Sequence, residues 1–185
     1  MDRPTGWGLV SRLLHWLTAV LIALELALGF WIVDLSDYGP VSTAMVHHTL
    51  GFVLLALVIV RVNWRVNNVR PDHPASMGSW RRRLAGLTQA LLYLLMIAFP
   101  LSGWAAMATS PEGLPIYFLG LEIPRMYDEP PATTFAYDLF RLVHELCWKV
   151  GLFVLATHLV GALLSEYRDG DAAITRMVRG PDDLG

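Results

Sequence analysis

Four stretches of the chain, at approximately 13–33, 47–66, 85–107 and 139–164, are almost wholly apolar and long enough to cross a bilayer as helices. About 30 Å of hydrocarbon takes ~20 helical residues. Lipid offers no partner for an unpaired backbone group, so a helix that closes its own hydrogen bonds is the natural form. Composition argues against a soluble alternative: 55% of the 185 residues are hydrophobic and 16% charged, where a soluble domain carries roughly a quarter charged. Mean hydropathy is +0.46. The expected fold is an all-α integral membrane four-helix bundle, a single domain over 1–185. The first stretch follows Arg3 and Arg12 and could mimic a signal peptide. Its length exceeds the ~7–15 apolar residues of a signal core and no small-x-small site follows, so it reads as a retained span. The single cysteine, Cys147, excludes an intramolecular disulfide and a cysteine-based metal cluster, and reads as a packing residue.

Charge sorts the connections. Arg3 and Arg12 precede the first span, Arg61, Arg65, Arg70, Arg81, Arg82 and Arg83 fall around the second connection, and Arg168, Arg176 and Arg179 follow the fourth span. The first connection has no Lys or Arg, and the third has only Arg125 against Glu112, Glu122, Asp128, Glu129 and Asp138. The positive-inside rule therefore places both termini and the middle connection in the cytoplasm, as an even number of spans requires. Trp7, Trp16, Trp31, Trp64, Trp80, Trp104 and Trp148 fall near span ends, as interfacial anchoring would give. The third connection, interrupted by Pro111, Pro115, Pro124, Pro130 and Pro131, is the one outer segment large enough to form a cap or docking surface.

Of six histidines, His73 sits in the basic middle connection and reads as solvated. The other five lie in or at the edges of spans, where ionisable groups are costly and point to function. His144 and His158 are 14 residues apart, which is ~21 Å along a helix and within about 40° of one face. His15 opens the first span on the cytoplasmic side and His47 opens the second on the outer side. Depths then match as His15 with His158 and His47 with His144. Gly29, Gly51 and Gly151 recur on the same seams, where a flat macrocycle between helices needs backbone without side chains. Arg61, 14 residues beyond His47, could meet the propionates of an inner haem, and Arg141, one turn from His144, those of an outer one. His48 lies about 100° off the His47 face and is the weaker ligand. Zinc fits poorly: His144-Glu145 begins a His-Glu-x-x-His motif, but Trp148 stands where its second histidine belongs. Zinc also wants three or four ligands close together. Two separated pairs suit haem, whose porphyrin leaves two axial positions to the protein.

At these residues the chain resembles the bacterial cytochrome b561 family over nearly its whole length. The likeness is carried by Arg12-Leu-Leu-His15-Trp16, by Met45-Val-His47 with Gly51, by Pro100-Leu-Ser-Gly103, and by His144-Glu145 and Thr157-His158. No haem-ligand position departs from the family pattern. The resemblance implies two haem b groups, a quinone (ubiquinone) as electron partner and a multi-pass place in a bacterial inner membrane. It also implies, for some members, superoxide:quinone oxidoreductase (superoxide oxidase) activity.

Glu25 and Lys149 match in depth and invite an ion pair, although Lys149 points away from the haem seam and snorkels readily to the outer surface. Lys149 is nonetheless the candidate catalytic residue, steering an anion such as superoxide or a quinone carbonyl. Two functional readings stay open. One is a redox enzyme that takes electrons from superoxide or another small donor and passes them to quinone. The other is a cytochrome b electron-transfer subunit of a hydrogenase or dehydrogenase complex, needing a partner protein. A haem-free scaffold or transporter is disfavoured by the depth-matched histidines. No nucleic-acid partner is expected.

Overall fold

A computed structural model of the chain describes residues 2, 6–31, 39, 41–69, 71, 77–124, 133–168 and 173–179. His73, Arg3, Arg70, Arg125 and the expected end of the first span at 32–33 lie outside the described residues. Four long helices carry the architecture: α1 (Leu9–Trp31), α2 (Thr43–Asn67), α3 (Ser79–Ala108) and α4 (Phe135–Tyr167). All four are long and apolar enough to cross a membrane. Their polarity is turned outward-in relative to a soluble protein. Leu17, Val20, Phe30, Ile59, Leu94 and Phe153 are exposed, whereas Thr18, Glu25, Thr49, Thr88 and Ser102 are buried. Lipid solvates the first set, and buried hydroxyls turn back onto their own helices: Thr18 Oγ1 donates to the Leu14 carbonyl (2.6 Å) and Ser102 Oγ to that of Phe99 (2.8 Å).

The helices outrun the apolar stretches. Arg61 and Arg65 are helical in α2, and Arg81, Arg82 and Arg83 form part of the first turns of α3 rather than a loop. Backbone hydrogen bonding costs an arginine nothing where its head reaches water, so the helix continues past the apolar run. Ser42 caps α2 by accepting from the Met45 N–H (3.0 Å).

Two elements depart from the expectation of irregular connections. Within the proline-rich third connection, β1 (Tyr117–Phe118) and β2 (Leu121–Glu122) pair antiparallel, Tyr117 opposite Glu122 and Phe118 opposite Leu121. Their two-residue turn takes positive φ at both Leu119 (51°) and Gly120 (80°), the geometry that suits the twist of a tight hairpin. The Leu119 N–H donates to Thr49 Oγ1 on α2 (3.1 Å). The second is a short helix after α4, α5 (Ala173–Val178). Glu166 accepts from the N–H groups of Ile174 (2.8 Å) and Thr175 (3.2 Å) at its start. At its end Arg12 Nη1 donates to the Val178 carbonyl (2.6 Å) and Trp16 Nε1 to that of Met177 (2.9 Å).

Contacts divide the chain into two compact units. The first comprises Met1–Thr18, Leu57–Leu94 and Gly151–Gly185, and the second Ala19–Ala56 and Leu95–Val150. Each unit contains part of every long helix.

Candidate functional site: two histidine pairs

In the first unit α1 supplies His15 and α4 supplies His158, their ring centroids 6.3 Å apart and their planes inclined by 53°. Arg61 Nη2 donates to His15 Nδ1 (2.9 Å). The Arg61 guanidinium lies 5.4 Å from the Tyr93 ring centre, and that of Arg65 5.7 Å from the same ring and 5.9 Å from Trp7. Gln89 Oε1 accepts from Arg65 Nη2 (2.7 Å) and Ser11 Oγ accepts from Trp64 Nε1 (2.9 Å). Two delocalised cations beside one tyrosine ring suit planar anionic groups such as carboxylates. They help to wall a small cavity of about 30 Å³ with Asp2, Trp7 and Trp64.

In the second unit α2 supplies His47 and α4 supplies His144, again with centroids 6.3 Å apart, the planes at 86°. His144 Nδ1 lies 3.0 Å from the Phe99 carbonyl and 3.3 Å from Ser102 Oγ. A ring nitrogen facing a carbonyl must be the protonated one, which leaves Nε2 with its lone pair. The Phe99 ring packs on the imidazole at 4.4 Å. Gly103 comes so close that a Cβ there would stand 2.9 Å from His144 Cε1 and 3.0 Å from Nδ1. On the other histidine, Glu25 Oε2 lies 2.7 Å from His47 Nδ1, off the line of the ring N–H.

Both pairs pass a simple test of fit. Two imidazoles bound to one ion from opposite sides, at metal–nitrogen bonds of roughly 2 Å, hold their centroids roughly 6 Å apart. Among the described residues no group of three or more His, Cys, Asp or Glu gathers as a zinc-type donor set.

The remaining residues singled out from sequence fall as follows. His48 lies beside His47 (centroids 6.3 Å) with Nδ1 buried and lacking a hydrogen-bond partner. A Cβ added at Gly29 or Gly151 would meet no heavy atom within 4 Å, and one at Gly51 would just touch Pro100 Cβ at 4.0 Å. Arg141 is exposed on α4 and interacts electrostatically with Glu145. Lys149 and Glu25 do not pair. Lys149 binds Glu145 (2.7 Å), one turn away on its own helix and half-exposed, while Glu25 turns to His47. Cys147 is buried as a free thiol. Trp64 and Trp104 face inward, Trp104 against Phe52 at 5.8 Å. Sequence reasoning missed the Glu25–His47 contact and the part played by Gly103. A lone acid inside an apolar span was a signal for the first.

The profile of the prokaryotic cytochrome b561 family matches residues 6–180. Cytochrome b561 homolog 2 of Escherichia coli K12 is 29% identical over 189 residues, covering 100% of this chain and 97% of its own length. Cytochrome b561 homolog 1 of the same organism is 27% identical, over 89% of this chain and 92% of its own. The probable superoxide oxidase CybB of Yersinia pestis is 25% identical, over 89% and 91%. With a family match over nearly the whole chain and four membrane-length helices, the chain belongs to the prokaryotic cytochrome b561 family, membrane b-type cytochromes that bind haem b and transport electrons.

Proposed function

We propose that the chain holds two haem b groups, one between His15 and His158 and one between His47 and His144, and passes electrons from superoxide to a membrane quinone. The observation that carries this reading is the repeated pair of imidazoles at 6.3 Å. The cell inner membrane with both termini cytoplasmic is the setting that the arginine distribution favours. The name of the Yersinia relative favours superoxide as donor. The reaction balances as two superoxide anions, each losing one electron and leaving as O₂, against one ubiquinone that gains two electrons and two protons as quinol. Haem held by two histidines would supply a one-electron carrier that does not bind oxygen readily.

The protein's own residues supply the rest. His144 is held in the tautomer that leaves Nε2 free by its bond to the Phe99 carbonyl. Arg61 and Arg65 offer cations for propionates in the first unit, and Arg141 is the candidate in the second. Gly29, Gly51 and Gly151 leave room for a flat ring, and Lys149 is the candidate for local capture of an anion. Because Glu145 neutralises Lys149, that capture is weak unless the pair opens. A second reading, an electron-transfer subunit with a partner protein, is favoured by one observation. The hairpin carries Leu119 and Leu121, 70% and 73% exposed, outside any of the four spans.

Pyridine-haemochrome assay against protein concentration tests the haem reading, with two haems per chain expected and one or none ending it. Stopped-flow mixing of the purified chain with superoxide then tests the donor. Rapid haem reduction without a second polypeptide is the expected result, and no reduction favours the subunit reading.

A further inference from the structure

The two histidine pairs share a spacing and differ in the charge set against them. Glu25 is only 8% exposed. Its Oε2 stands 2.7 Å from His47 Nδ1, and its Oε1 has no hydrogen-bond partner. On α4, Lys149 binds Glu145, and Arg141, three residues before His144, is exposed and set against the same Glu145 carboxylate. His48 and His144 are the other titratable groups beside His47. An imidazole whose outer nitrogen faces a carboxylate becomes a more basic ligand. A carboxylate so close also opposes the arrival of an electron at the metal.

The first unit reverses this. Among the described residues no carboxylate pairs with His15 or His158, and Asp2 is held by the Gly8 N–H and Ser11. Instead Arg61 donates to His15 Nδ1. Ligation through Nε2 moves the imidazole proton to Nδ1, which can then no longer accept, so Arg61 gives up that bond. Its charge stays on the same turn of α2, beside Tyr93, and a cation there favours the added electron.

We infer that Glu25 and Arg61 hold the two haem centres at different reduction potentials, the His47–His144 centre lower and the His15–His158 centre higher. Glu25 is a positioning residue that acts through His47. The inference rests on the two-haem reading above.

Potentiometric titration of the purified two-haem protein tests it, the waves being assigned with His47→Ala, which keeps the His15–His158 centre alone. Two waves are expected. Glu25→Gln should raise the lower wave by a tenfold change in the reduced-to-oxidised ratio, about 59 mV for one electron, leave the upper wave in place and alter one of the two low-spin electron paramagnetic resonance signals. Glu25→Asp should restore the lower wave. Arg61→Gln should lower the upper wave and Arg61→Lys should not. If Glu25→Gln loses haem, the Glu25→Asp and Arg61 variants still decide the order of the waves. Two bound haems with both waves unmoved, or with the His15–His158 wave the lower, overturn the inference and leave the two-haem reading standing. A single haem per chain overturns both.

Discussion

Around His47 and His144 the protein presents oxygen: the Glu25 carboxylate, the Phe99 carbonyl and the Ser102 hydroxyl. Around His15 and His158 it presents nitrogen, from Arg61 with Arg65 close behind on the same tyrosine. The ring separation is 6.3 Å in both places. Spacing and electrostatics therefore come from different sources. Spacing follows from where two helices carry their imidazoles, and electrostatics from one neighbour on a third segment. A single substitution can change the second without touching the first.

The coarsest way to break this comparison is to remove ligands. His15→Ala and His158→Ala should each lower haem content from two to one and erase the same spectral component, while His47→Ala and His144→Ala erase the other. Reduced-minus-oxidised spectra of the four variants check this, and loss of one component by both His15→Ala and His47→Ala would end the pairing. Next in size is a contrast between glycines. Gly103→Ala places a Cβ 2.9 Å from the His144 ring, so the imidazole has to move, and the movable atom is a side-chain tip. The fold should survive while the His47–His144 haem is lost or weakened. Gly86→Ala, on an exposed face of α3, meets nothing within 4 Å and should keep both haems. Equal haem content in the two variants would show that the close approach at Gly103 does not matter.

Smaller effects sharpen the comparison. Thr49→Val removes the acceptor of the Leu119 N–H, worth about 0.5–1.5 kcal/mol. Faster hydrogen exchange at the Leu119 amide, with both haems retained, is expected. Least of all is Lys149→Met, which leaves Glu145 without its partner. Haem reduction by superoxide should slow roughly two- to threefold, because water and salt screen an exposed charge. Glu145→Gln should accelerate it, and stopped-flow rates at low ionic strength read both.

Which parts of this were legible in the sequence follows from what a helix periodicity encodes. Apolar run length is a direct measure of span, so the four long helices could be read at once. Rise per residue encodes depth, and depth was enough to set His15 beside His158 and His47 beside His144. Lateral facing is different, since it depends on the order and tilt of neighbouring helices. For that reason Glu25 was matched by depth to Lys149, while in the structure it turns to His47. The Phe99 carbonyl was invisible because every residue carries one, and only the helix packing selects which carbonyl a side chain meets. Pro100-Leu-Ser-Gly103 was visible as a motif, but the meaning of Gly103 lies in the ring pressed against it. The hairpin at 117–122 was hidden by prolines on both sides, although Leu119-Gly120 is a compact enough turn to close it.

The six-residue helix α5 has a mechanical consequence. Its start is fastened by Glu166 near the end of α4, and its last carbonyls by Arg12 and Trp16 of α1. These anchors lie on the same two helices that carry His15 and His158, with Arg12 three residues before one histidine and Glu166 eight residues after the other. A slip of α1 along α4 by one turn, about 5.4 Å, would detach one end of α5 or the other. The little helix thus acts as a gauge block, setting the axial register of two long rods, and with it the gap between the imidazoles they carry.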